Sequence, residues 1–131
     1  MRKTVQTASN IPKVGEGKRG VDGHLGYLLR QAHSAHRARM EHALAADGVT
    51  VPQFSVLVML AAYPGASGAS GAELARLSLL TPQTMNVILA NLERDGAIVR
   101  RPHAEHGRIQ VNEITTAGKA LLARCKRAVK T

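Results

Sequence analysis

The chain has 131 residues, 44% of them hydrophobic, and 18 Lys and Arg against 9 Asp and Glu give a net charge of +9. The length allows one domain with a real core, while the lone Cys125 excludes an intrachain disulfide. The longest apolar run, Val56 to Tyr63, is far below the roughly 18 residues a membrane span needs, so no membrane association is expected. The positive excess calls for an anionic partner, of which nucleic acid is the commonest.

Residues 1–20 hold Arg2, Lys3, Lys13, Lys18 and Arg19 with one acid, Glu16, and Pro12 among glycines. So few apolar groups cannot offset the entropy of ordering, and a flexible basic arm is expected. No apolar segment follows the basic start, so no signal peptide is expected; the single cysteine agrees with a cytoplasmic location. The remainder, 21–131, is expected to form one domain. Its apolar residues are mostly Ala, Leu and Val, with only Tyr27, Phe54 and Tyr63 aromatic, which suits packed helices better than a large sheet.

From about Asp22 to Ala46 the residues Leu25, Leu28, Leu29, Ala32, His36, Met40, Ala43 and Leu44 recur at spacings of three and four, the period of a helix face. Asp22 is the expected N-cap and Gly48 the stop. A helix this long has room for a second task, such as meeting another subunit. Pro52 suits the first position of the next helix, whose run from Phe54 to Ala61 leaves almost no polar face. Pro64 and Gly65 end it, and Gly-Ala-Ser, twice over at 65–67 and 68–70, reads as a flexible loop.

Residues 71–95 then read as two short helices with a tight turn between them. The first runs from about Ala72 to Leu77, with Leu74, Ala75 and Leu77 as its apolar contacts; the turn falls at Ser78–Leu80. Thr81 can cap the second helix, and Pro82 opens it. Met85, Ile88, Leu89 and Leu92 share one face of that helix, while Gln83, Val87, Ala90 and Arg94 centre the opposite one, flanked by Thr84, Asn86 and Asn91. Amide side chains can pair bidentately with adenine, apolar groups can meet the thymine methyl, and a helix N-terminus favours phosphate. After Asp95-Gly96, two alternating stretches, 97–101 and 108–114, flank a turn-rich segment and predict a hairpin. Arg100, Arg101 and Arg108 charge its base and tip, with His103 and His106 nearby, as a wing entering a minor groove requires. A last helix from about Ala117 to Lys130 carries the stripe Ala117, Leu121, Cys125 and Ala128 beside a basic face.

The stretches GAELARLSLLTPQTMNVILANLERDGAIVRRP at 71–102 and GRIQVNEITTAGKALL at 107–122 resemble the MarR family of winged-helix transcriptional regulators, and the resemblance spans roughly 22–122. It implies a mainly α fold with a small β-hairpin: a winged helix-turn-helix lobe at about 52–114, with dimerisation helices at about 22–46 and 116–131. It also implies a homodimer on double-stranded DNA at a pseudo-palindromic operator, most often a repressor released by a small lipophilic or phenolic effector. In that scheme Thr81, Pro82, Gln83, Thr84, Asn86, Val87 and Arg94 lie at the major groove. Arg100, Arg101, His106 and Arg108 belong to the wing, and Arg108 matches the arginine that reaches the minor groove. Leu25, Leu28, Leu29 and Leu121 are the expected dimer contacts.

The sequence departs from that pattern in three places. His106 stands where many members carry an Asp that holds the wing arginine, so Arg108 is expected to be held less tightly, or by Glu105. The loop at 65–70 looks expanded. The sequence stops at Thr131, where relatives have more helix; either dimerisation needs less, or the first helix carries more of it.

His24, His33, His36 and His42 crowd the first helix, and His33 with His36 could share a metal, but no Cys or well-spaced carboxylate joins them. A solvated or dimer-facing helix is the preferred reading, with a pH-sensitive interface as another. Arg124, Lys126 and Arg127 around Cys125 would favour a thiolate, which leaves redox sensing as a minor alternative. No phosphate loop, nucleophile elbow or paired Glu/His motif marks an enzyme, and no cofactor is expected. Two competing functions remain: a metal-responsive regulator of the same fold, and a winged-helix protein-interaction module without DNA readout.

Overall fold

The computed structural model describes the backbone of residues 20–63 and 68–130, and side chains from His24 onward within those ranges. The expected arm at 1–20 therefore lies outside the described residues except for Gly20. The elements, in order, are α1 (Gly20–Ala45), α2 (Val51–Ala61), β1 (Ala69–Ser70), α3 (Gly71–Leu77), α4 (Pro82–Arg94), β2 (Ile98–Pro102), β3 (Gln110–Ile114) and α5 (Thr116–Lys130). The chain divides into two compact units, with the boundary after Arg39.

In the first unit, α1 begins at Gly20, so Asp22 lies inside the helix rather than capping it. Leu25, Leu28 and Leu29 are 58%, 42% and 62% exposed. Tyr27 and Gln31, one turn apart, are joined by a hydrogen bond from Gln31 Nε2 to the Tyr27 hydroxyl at 3.2 Å.

The second unit begins at Met40 and holds both core clusters. The larger gathers Val56, Leu57 and Leu60 of α2, Leu74 and Ala75 of α3, Met85, Ile88, Leu89 and Leu92 of α4, Ile98 of β2 and Leu122 of α5. The smaller joins Leu44, Val49 and Cys125. Gly48 adopts φ +67° and turns the chain between α1 and α2, in the left-handed region where glycine has no Cβ penalty. Thr50, not Pro52, sets the start of α2. Its hydroxyl accepts from the Gln53 amide, and Gln53 Oε1 accepts from the Thr50 amide at 3.1 Å, a reciprocal capping box. Its buried residues Gln53, Val56, Leu57 and Leu60 lie on one side, while Val58 is 38% exposed, so the nearly all-apolar run is not covered on every side.

The sheet has three strands in the order β1-β3-β2, all antiparallel, one more than the expected hairpin. The second Gly-Ala-Ser is not a loop. Ala69 is fully buried and pairs with Asn112, whose Nδ2 donates to the Ala69 carbonyl at 3.0 Å. Gly68 enables this approach: it sits at φ +52°, and a Cβ there would run into the Asn112 carbonyl. The strands of the hairpin are also shorter or shifted. Ala97 precedes β2, its amide donating to Leu92 at the end of α4, and Arg108 falls in the turn before β3.

Helix α5 starts where the sequence places it. The Thr115 hydroxyl accepts from the Gly118 amide at 2.9 Å and donates to the Gly96 carbonyl at 2.6 Å, so one side chain caps α5 and ties it to the end of α4. Gly118 packs so closely that a Cβ would overlap the Ala97 carbonyl and crowd Ile114. Of the expected apolar stripe, Cys125 is wholly inside its own subunit's core and Leu121 packs half-buried on both clusters. Cys125 is therefore no surface contact for a second subunit. Its burial, reinforced by Asp47 and opposed by Arg124, pushes its thiol up from the ordinary 9.0. This reverses the expectation that neighbouring cations favour a thiolate, because desolvation of the charged form outweighs them. No described helix is long and apolar enough to cross a membrane.

Candidate nucleic-acid interface

Helix α4 has two faces that differ completely. Met85, Ile88, Leu89 and Leu92 are at most 8% exposed and lock the helix onto the core. Gln83, Thr84, Asn86, Val87, Ala90 and Arg94 face away from it and are exposed. The four buried residues fall at the spacing of one helix face, so burying them presents the other set outward.

The N-terminus of α4 is built by local chemistry. Thr81 accepts from the Thr84 amide at 3.2 Å and donates to the Thr84 hydroxyl at 3.0 Å. Thr81 is thus occupied as a cap, while the Thr84 hydroxyl keeps its own proton to give. Pro82 follows in the first turn, where a missing N–H costs nothing. The turn from α3 runs through Leu79, at φ 55° and 93% exposed, a left-handed position. Leu77 is half exposed rather than buried, because α3 ends there and the chain turns away.

The wing's cations are in three different states. Arg101 Nε lies 3.4 Å from Glu113 Oε2 across the hairpin. Arg100 reaches back to α4, its Nη2 donating to the Asn86 carbonyl at 3.4 Å. Arg108 is exposed at the tip, and among the described residues it has neither ion pair nor side-chain hydrogen bond. Glu105 does not hold it; the Glu105 amide instead donates to His103 Nδ1 at 3.0 Å, as does the His106 amide at 3.2 Å. The tip is closed by this histidine and by the His103 amide donating to the Ile109 carbonyl at 2.7 Å. His106 itself is exposed, its ring 5.4 Å from that of His103.

The structure therefore brings Thr81, Pro82, Gln83, Thr84, Asn86, Val87, Arg94, Arg100, Arg101, His106 and Arg108 onto α4 and the adjoining wing, all in the second unit. Arg94 pairs with neighbouring Asp95 at 3.4 Å, an exposed contact of little energetic weight. Leu25, Leu28 and Leu29 belong to the first unit. Sequence reasoning missed Asn112, which is 2% exposed and pins β1 to β3 beneath the wing. An asparagine within an otherwise alternating strand was the available signal. Among the described residues no group of three or more His, Cys, Asp or Glu is placed to hold a metal ion.

A helix anchored by one apolar face, a preceding short helix and a cationic hairpin beside them define a winged helix-turn-helix. A family model described as the MarR family matches residues 47–109. The HTH-type transcriptional repressor Rv2887 of Mycobacterium tuberculosis is 39% identical over 109 residues, covering 83% of this chain and 76% of the relative. The crystal structure of the M. tuberculosis protein in complex with DNA matches at a TM-score of 0.67 and 39% identity, over 81% of this chain and 76% of that one. Its complex with salicylic acid matches at 0.63 and 40% identity over the same shares. The chain belongs to the MarR family of winged-helix regulators.

Proposed function

We propose that this protein is a sequence-specific DNA-binding transcriptional repressor, acting in the cytoplasm as a homodimer and released from DNA by a small lipophilic or phenolic compound. It binds rather than catalyses. The observation that carries the reading is the two-faced α4: a buried apolar side fixes the helix, and Gln83, Thr84, Asn86 and Val87 stand exposed on the other. Those residue types suit base edges in a major groove. Arg108 at the tip of the wing suits the minor groove beside it.

Support for the two-fold assembly comes from α1, whose Leu25, Leu28 and Leu29 are all more than two-fifths exposed in the single chain. A palindrome requires two recognition helices about 34 Å apart, a spacing that a two-fold axis imposes. Support for the repressor role and for the effector comes from the M. tuberculosis relative, named a repressor and crystallised with both DNA and salicylic acid.

The test is selection of bound fragments from random DNA, followed by titration of the selected site at several salt concentrations. A recurring inverted repeat is expected, with log affinity falling linearly in log salt at a slope that reports several phosphates. No enriched sequence, or a flat salt response, would overturn the reading.

A further inference from the structure

Arg100 differs from the other wing arginines because it points inward. It is half-buried; its Nη2 donates to the main chain of α4 at Asn86, and its Nε is buried with no protein partner. Its cross-strand neighbour is Asn112, itself 2% exposed, with Nδ2 on the Ala69 carbonyl and Oδ1 likewise buried without a partner. Asn86, Arg100 and Asn112 line one cleft of about 360 Å³ between α4 and the sheet. A continuous set of contacts thus runs from α4 through Arg100 to β2, across the strand pair to Asn112, and on to β1. Arg101 has no such link: its partner Glu113 lies within the same hairpin.

We infer that Arg100 is a positioning residue for DNA recognition, not a phosphate contact: it fixes the angle between α4 and the wing, and so sets specificity rather than bulk affinity. The inference rests on the DNA-binding reading above. Two probes that must enter neighbouring grooves together gain from being held in one relative orientation, because the second contact then forms without a further search. A guanidinium suits this task through its planar fork of donors, which a lysine of equal charge lacks. A residue acting on phosphate through charge alone would instead tolerate lysine.

The variants are Arg100→Lys and Arg100→Gln, with Arg108→Ala as the contrasting surface change. Two quantities are read: affinity for the selected operator and for random DNA across a salt series, and amide hydrogen exchange of the DNA-free protein. Both Arg100 variants are expected to lower the operator-to-random ratio about tenfold, leaving random-DNA affinity within about twofold and the salt slope unchanged. Exchange should quicken in β2, β3 and the first two turns of α4. Arg108→Ala should weaken both DNAs and reduce the slope by about one, with exchange in α4 unaltered.

Full retention of the ratio by Arg100→Lys would overturn the positioning role, as would equal losses on both DNAs with a reduced slope. Unchanged exchange would overturn it without reference to DNA. If the wild-type chain itself prefers no operator, the DNA-binding reading fails and takes the specificity role with it, an outcome distinct from the others because it appears before any variant is made.

Discussion

Helix α4 leaves one face open, whereas α1 is exposed along most of its described length, and the two differ in what they leave uncovered. On α4 the apolar side is spent inside the chain, and what remains outward is amide, hydroxyl, small and cationic. On α1 the exposed residues include Leu25, Leu28 and Leu29 among polar and basic ones. Water replaces a polar partner for the open face of α4 at little cost, so that face can wait for DNA. It does no such thing for the exposed leucines of α1, which call for apolar cover. Helix α5 is the control, because its apolar residues Leu122 and Cys125 are covered by their own subunit.

The contrast breaks most sharply under charge. Leu122→Asp would bury a carboxylate in the core, where Leu122 is 4% exposed. We expect a loss of about 4 kcal/mol or more, and a fall on the order of 20 °C in Tm or outright unfolding. Leu28→Glu should leave each chain folded by circular dichroism but halve the mass seen by light scattering at micromolar concentration. A Leu28→Glu protein that keeps the wild-type mass would remove α1 from the interface.

A smaller effect is expected where α5 meets the sheet. Gly118→Ala forces a Cβ against the Ala97 carbonyl and Ile114, and should cost about 1–3 kcal/mol in denaturant unfolding. No loss would mean that α5 is held less tightly than its cap and core contacts imply.

The gentlest test concerns Cys125. Its folded thiol is pushed up, so the stability this contributes is present below the ordinary 9.0 and disappears as pH rises through the higher folded value. Wild type should therefore lose stability above about pH 9 relative to Cys125→Ala. At about pH 8 a thiol reagent should modify the native chain far more slowly than the urea-unfolded one. Equal rates would show Cys125 to be accessible.

Much of this was legible in the sequence because the signals are local. The four buried residues of α4, its Thr81 cap and Pro82, and the stop at Gly48 follow from helix period and capping chemistry. What was not legible depends on distant partners. Ala69-Ser70 has no strand propensity of its own; it becomes a strand because Asn112, 43 residues away, bonds to its carbonyl. The stripe on α5 has the same period whether it faces its own core or another subunit, and only packing assigns Cys125 to the interior. Equally, the composition of the wing counts three arginines alike, whereas geometry pairs Arg101 with Glu113, turns Arg100 back to α4 and leaves Arg108 exposed at the tip. Charge near Cys125 was visible in the chain; the burial that outweighs it was not.

The central claim is that the outward face of α4 reads bases. The most direct measurement compares Gln83→Ala with wild type on the selected operator and on random DNA at one fixed salt concentration. Gln83 is exposed and belongs to neither core cluster, so the fold should be unaffected. A loss of about 1–3 kcal/mol on the operator, with little change on random DNA, is the predicted result. Equal losses on both DNAs, or none on either, would contradict it.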